Sequence, residues 1–170
     1  MTSIKGYTCN CCGEYHEELP TSYGIPAPVY YYDVAPEELN DRFELDDDLC
    51  IMDNEHFFIP GCIEIPITST AEHLIWGAWV SLSEANFNKT KAHWDKQELL
   101  EPVIGWLSTA LPCYPDTVNL KAMVHFRPNG IRPYIELEPT DHPLAMEYRN
   151  GVTIERVQEI ASELCINSDN

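Results

Sequence analysis

Basic residues are scarce in this 170-residue chain: ten Lys and Arg stand against 28 Asp and Glu, for a formal net charge of −18. That shortage disfavours direct binding to a nucleic-acid backbone, because phosphate contacts need a cationic surface. Long apolar runs are also missing. No stretch approaches the roughly 18 residues that a membrane span requires, and the N-terminus lacks the basic-then-apolar layout of a secretory signal. The expected location is therefore the cytoplasm. No internal repeat, low-complexity tract or Gly-x-Ser-x-Gly nucleophile elbow is present, which argues against solenoids, linkers and the commonest serine hydrolases. The cysteine count is seven, and Cys9, Cys11 and Cys12 crowd into four positions. An odd, clustered set does not suit a disulfide framework. In a reducing compartment such cysteines are more often metal ligands or catalytic thiols.

The length suits one domain, able to bury about 70% of the surface its unfolded chain exposes. Hydrophobic residues make up 44% of the sequence and charged ones 22%, the balance of a globular protein rather than a disordered one. The acidity serves solubility in its simplest reading, and in a sharper one offers a surface to a basic protein partner.

The segment from Leu74 to Leu82 predicts a strand buried on both faces, with Leu74, Trp76, Ala78, Val80 and Leu82 on one side and Ile75, Gly77 and Trp79 on the other. Ser81 and Glu84 have the spacing of a capping box, which predicts a helix from Ser83 to His93. A short helix is expected over Pro36 to Phe43. Phe57 to Ile59 and Cys62 to Ile67 predict two strands joined by a turn at Pro60-Gly61, and Gly105 to Pro115 predicts an ordered, proline-punctuated loop. The hairpin from Thr117 to Pro139 turns at Asn129-Gly130, placing Val124 opposite Ile135, His125 opposite Tyr134, and Arg127 opposite Arg132. Pro133, which has no ladder donor, predicts an edge strand or a bulge. Pro143 and Asn150-Gly151 bound one helix, and Thr153 caps another carrying Ile154, Val157, Ile160, Ala161 and Leu164 on one stripe. This order predicts a single α+β domain over 1–170, with a mostly antiparallel sheet over 55–140, an inserted helix, C-terminal helices over 141–166 and a Cys/His knuckle over 1–18.

Cys9, Cys12, Gly13 and His16 form Cys-x-x-Cys-Gly-x-x-His. Two thiolates at this spacing can grip a tetrahedral zinc ion, and the glycine lets the backbone turn around it. A closed structural site needs four ligands. His16 and Cys50 are candidates for the other two, with Cys62 as the alternative to Cys50 and Cys11 as a substitute. Unligated thiols and a redox dithiol are the competing readings, although no helix start after Cys12 supports the redox one.

Tyr7 to His16, Trp76 to Phe87, Gly105-Trp106-Leu107, Tyr114 to Thr117 and Glu138 to Ala145 resemble the bacterial DUF2199 family, over nearly the whole chain. That family is a domain of unknown function, so the resemblance implies a single bacterial domain and supplies no activity. Its Cys-x-x-Cys-Gly-x-x-His pattern maps onto Cys9, Cys12, Gly13 and His16 and leaves Cys11 outside.

Other candidates have competing readings. Asp141 could orient His142 as a general base, or Asp141 could cap the helix that begins at Pro143. Asp46, Asp47, Asp48, Asp53 and Glu55 lack the order of a calcium loop and read as a solvated acidic loop. Arg127 and Arg132 could cradle an anionic ligand or pair with carboxylates of the protein itself. The leading expectation is a non-enzymatic zinc-binding domain with an acidic protein-interaction surface, which would suit an immunity-like role. The alternative is a metal- or ligand-dependent enzyme with a pocket near His142 and Arg132.

Overall fold

The computed structural model describes residues 6–168. The outermost residues of the expected 1–18 knuckle and 1–170 domain, 1–5 and 169–170, lie outside that range. The chain first lays down a two-stranded antiparallel pair, β1 (Tyr7–Thr8) and β2 (Tyr15–His16), and then the short strand β3 (Ser22–Tyr23). One-turn 3-10 segments at Val29–Asp33 and Pro36–Glu38 lead into α1 (Leu39–Arg42), followed by β4 (Phe43–Leu45) and β5 (Cys50–Met52). The two longest strands come next, β6 (His56–Pro66) and β7 (His73–Leu82). After them come α2 (Glu84–Ala92), a 3-10 segment at Trp94–Leu99, β8 (Val103–Leu107), β9 (Lys121–His125), β10 (Tyr134–Leu137), α3 (Pro143–Asn150) and α4 (Ile154–Ser168). The class is α+β.

β6 and β7 pair antiparallel from Phe57 opposite Leu82 to Pro66 opposite His73. Each changes its other neighbour midway. β7 takes β3 alongside Ile75 and Trp76 and β8 alongside Val80 and Ser81, while β6 takes β5 up to Phe58 and β10 at Cys62. Because β8, β9 and β10 follow in antiparallel sequence, five strands from β6 to β10 close into a small barrel, with β3 and the β4–β5 pair as flaps. The closure is a single parallel bridge, Tyr134 to Cys62, supported by the Cys62 N–H donating to the Pro133 carbonyl at 2.9 Å. Gly61 permits this approach: a Cβ there would lie 2.9 Å from the Ile135 side chain and 3.0 Å from the Pro133 oxygen.

Pro60 and Gly61 therefore sit inside one continuous strand, not in the turn that their sequence predicts. The ladder explains the difference. Pro60 pairs with Trp79, whose N–H donates to Thr109 Oγ1 and whose carbonyl accepts from the Ser108 N–H, so both groups face away from β6. Proline is thus placed where β7 asks for no donor, just past the last pair with β5. β10 is likewise no edge, lying between β9 and β6, and Pro133 needs only its carbonyl. Gly105 to Leu107 belongs to β8, not to a loop, and Gly105 packs against Val80 and Val124. The main sheet also takes three strands from before residue 55.

Other expectations hold with shifted details. Val124 and His125 pair with Ile135 and Tyr134 as expected, and Asn129 and Gly130 adopt φ of 62° and 72° in a turn closed by the Ile131 N–H to the Pro128 carbonyl. The cap of α2 is Ser83, accepting from the Asn86 N–H; Ser81 stays in β7 beside Trp106. The helix expected over Pro36 to Phe43 is split between a 3-10 turn and α1, and Phe43 enters β4. Thr153 caps α4 by accepting from the Arg156 N–H, and Gly151 ends α3 at φ 81°.

Both faces of the central strands are buried. Ile59, Ile63, Ile65, Leu74, Trp76, Ala78 and Val80 join Val124, Ile135, Leu144, Val157 and Ile160 in the main core. On the reverse, Phe58 and Trp79 pack with Phe43, Cys50, Tyr30 and Tyr31. The Trp79 indole N–H donates to the Ile25 carbonyl at 2.8 Å, so the large ring is satisfied in that second cluster. The last two helices are tied to each other and to the loop after β8 by Arg156. It meets Glu147 at 2.8 Å, Glu159 at 2.9 Å and the Cys113 carbonyl, while the Tyr114 hydroxyl donates to the other Glu147 oxygen at 2.6 Å.

Two stability predictions result. Gly61→Ala should cost about 1–3 kcal/mol through overpacking against Ile135, read as a lowered urea midpoint. Arg156→Ala leaves the mostly buried Glu147 carboxylate without its cation and should cost about 2 kcal/mol, less than a fully buried pair because both side chains keep about a fifth of their exposure. The same urea titration should show Arg156→Lys recovering part of that loss.

Candidate metal centre

The knuckle begins as a tight reversal between β1 and β2. The Cys9 N–H donates to the Glu14 carbonyl, the Gly13 N–H donates to the Cys9 carbonyl, and Gly13 takes φ of 73°, which a glycine adopts without strain. This folds Cys9, Cys11 and Cys12 onto a common point. The fourth sulfur comes from the other end of the chain, from Cys165 on α4. One Sγ from each of Cys9, Cys11, Cys12 and Cys165 lies within 4.8 Å of all the others, and Cys9 and Cys11 are 3.2 Å apart. α4 is held there by a second contact, the Asn10 N–H donating to the buried Ser162 Oγ at 3.1 Å. Ser162 and Cys165 are three residues apart and share one helix face.

The sulfurs are graded by exposure: Cys9 is fully buried, Cys11 and Cys165 are partly covered and Cys12 is open. Their proton affinities are strongly split. The backbone N–H of Cys12 turned toward Cys9 is the largest influence holding the Cys9 thiol down at about 6, against the opposing effect of burial. Cys11 is pushed up, first by its hydrogen bond with Cys165 and then by burial. Crowded thiols cannot all ionise unless a cation joins them. Four sulfurs around one tetrahedral ion at Zn–S distances of about 2.3 Å would stand roughly 3.8 Å apart, a separation that the 4.8 Å limit here accommodates. The group could hold a metal ion.

His16 takes a neighbouring place. Its Nε2 lies 3.5 Å from Cys12 Sγ, and its ring stacks on Tyr7 with centroids 5.3 Å apart. Of the expected ligands, the four-sulfur group holds Cys9 and Cys12, with Cys11, the expected substitute, and Cys165; His16 stands beside Cys12 and is not one of the four. The structure does not bring Cys50 or Cys62 there. Cys50 is buried with Phe43, Phe58 and Trp79 in the second cluster, where burial pushes its thiol up to about 12. Cys62 sits in β6 at the barrel seam opposite Tyr134, in the eight-stranded sheet and not in the separate β1–β2 pair. Cys165 gave no signal of its own, because a cysteine extending the apolar stripe of α4 reads as core.

The other sequence candidates resolve into structural roles. His142 itself caps α3, its Nδ1 accepting from the Leu144 N–H at 3.1 Å, and its Nε2–H donates to the Asp116 carbonyl at 2.9 Å. Both ring nitrogens are engaged; Asp141 is exposed and is not the cap. Arg127 pairs with Glu64 at 3.0 Å and donates through Nε to the Arg132 carbonyl. Arg132 turns away and donates to the Asp47 carbonyl, so the two guanidinium groups do not form one cradle. In the acidic loop, Asp46 accepts from the Asp48 and Leu49 N–H groups, and Asp53 forks the Arg42 guanidinium.

A family described as "uncharacterized protein conserved in bacteria", DUF2199, matches residues 8–152. The chain belongs to this DUF2199 family. The matched span holds Cys9, Cys11, Cys12 and His16 and ends before α4, so Cys165 stands beyond it. No curated protein and no solved structure matches the chain. Among the described residues no helix is long and apolar enough to cross a membrane.

The engagement of both His142 nitrogens makes a distinguishing prediction. His142→Ala should cost about 1 kcal/mol in a denaturant titration, the loss of a helix cap, and His142→Asn should restore most of it because an Asn side chain can accept the same N–H.

Proposed function

We propose that this DUF2199 protein is a non-enzymatic binding domain whose β1–β2 knuckle and α4 are joined by one structural zinc ion and whose acidic surface receives a basic protein partner. The observation that carries the reading is the convergence of four sulfurs from Cys9, Cys11, Cys12 and Cys165. An all-thiolate tetrahedral set suits a soft or borderline ion, and four protein ligands leave no position for a substrate. His16 would donate to the Cys12 thiolate and limit its charge, the outer-sphere role common around such ions. The net charge of −18 supports the partner assignment through steering of a cationic surface. An immunity-like protein that masks a basic partner is one form of this reading. A cytoplasmic location suits it, since a reducing compartment preserves the thiols.

The enzyme alternative has less support, because its two residues do not share a site. Arg132 lines a cavity that His142 does not reach, and His142 has no free ring nitrogen for proton transfer.

Elemental mass spectrometry on untagged protein should find one zinc per chain. Chelation should then release four thiols to a titrant and lower the melting temperature. Cys165→Ser should weaken metal retention at least as much as Cys12→Ser, whereas Cys50→Ser should leave the stoichiometry unchanged. Metal-free protein with all seven thiols equally reactive would sink the zinc assignment. Co-purification with basic proteins at low salt tests the partner, and an empty result there would remove that half of the proposal.

A further inference from the structure

The midway change of partner along β6 leaves a gap in the sheet. Phe58 is its last residue paired with β5 and Cys62 its first paired with β10, so Ile59, Pro60 and Gly61 have no strand beside them on that edge. A cavity of about 280 Å³ opens there. Its floor is apolar, with Ile59, Pro60 and Pro133 all buried, and the exposed Trp94 and Ile131 stand at its lining. The volume falls just under the roughly 300 Å³ at which ligand clefts begin, which suits a small ligand.

The charged groups here are unusual for so acidic a chain. Arg127 and Arg132 both line the cavity, and Arg127 is already committed to Glu64. Arg132 is not so committed. Among the described residues its one protein acceptor is the neutral Asp47 carbonyl, reached through Nη2, and no carboxylate lies within ion-pair distance, in contrast to Arg42, Arg127 and Arg156. A guanidinium at the wall of a cavity with an apolar floor, with only Nη2 engaged, offers its remaining N–H groups to a carboxylate. Asp48 and Asp95 line the same cavity. They would repel a second negative charge, so the ligand should carry only one.

We propose that this cavity binds a small monocarboxylate with a flat apolar body, the carboxylate received by Arg132 and the body set between the Ile59–Pro60–Pro133 floor and the Trp94 indole. The frame is preorganised. The Asn129-Gly130 turn that forms part of the lining is closed by its own hydrogen bond, and the Pro133 carbonyl is fixed by the barrel seam. The site is separate from the four cysteines, so it stands or falls independently of the zinc assignment.

The test uses the full-length chain and benzoate as the probe, followed by two-dimensional NMR, with neutral benzamide for comparison. Millimolar benzoate should shift the Gly130 and Ile131 amides and the Trp94 indole N–H, with benzamide binding more weakly. Arg132→Ala should weaken benzoate by about tenfold or more, and Arg132→Lys, which keeps the charge but loses the fork, should fall between. Arg149→Ala, on the exposed end of α3, should change nothing. No shift at the cavity, equal binding of benzamide, or undiminished binding by Arg132→Ala would each overturn the proposal.

Discussion

The β6–β7 ladder is the constraint on which everything else in the molecule depends. Ten successive pairs lock two strands whose side chains are apolar on both faces, so layers must cover both sides. One side receives the barrel interior with α3 and α4, and the other receives Phe43, Cys50 and the tyrosines of the first 3-10 turn. Neither strand keeps one neighbour along its full length. That exchange of neighbours curls the sheet, lets β10 return to β6, and opens the cavity at the point of exchange.

The knuckle depends on this frame indirectly. β1 and β2 form a separate two-stranded sheet with little area of their own, and a two-stranded ribbon is marginal in water. Tyr7 and Cys9 seat it in the main core, Ser162 and the sulfur of Cys165 attach it to α4, and α4 in turn is fixed on the core by Val157, Ile160 and Ala161. Packing therefore places the helix, and the helix places the last sulfur.

Much of this was legible where the chemistry is local. Asn129-Gly130 needs positive φ at both residues, and that requirement alone set the hairpin and its register. The near-continuous apolar run from Leu74 to Val80, which leaves neither face fit for water, is equally local and marks the doubly buried strand. Cys9, Cys12 and His16 came together because a short reversal leaves them little choice. Failures came where the deciding atom is remote. Pro60-Gly61 carries a turn signal, yet whether Pro60 may stand in a strand depends on which way the Trp79 backbone faces. Gly105 reads as a loop residue until Val80 and Val124 are beside it. Ser81 has the capping spacing, but Trp106 holds it in the ladder two residues before the true cap, Ser83. The fourth sulfur was hidden by similarity, since Cys50, Cys62 and Cys165 all sit on apolar segments and only the tertiary path of α4 separates them.

The pairing of residue 9 with residue 165 also orders events during synthesis. At about 5–20 residues per second, Cys165 is added roughly 8–30 s after Cys9. Throughout that interval Cys9, Cys11 and Cys12 are without the helix that brings the fourth sulfur to them. In a nascent chain, three of the four sulfurs are made long before the one that joins them.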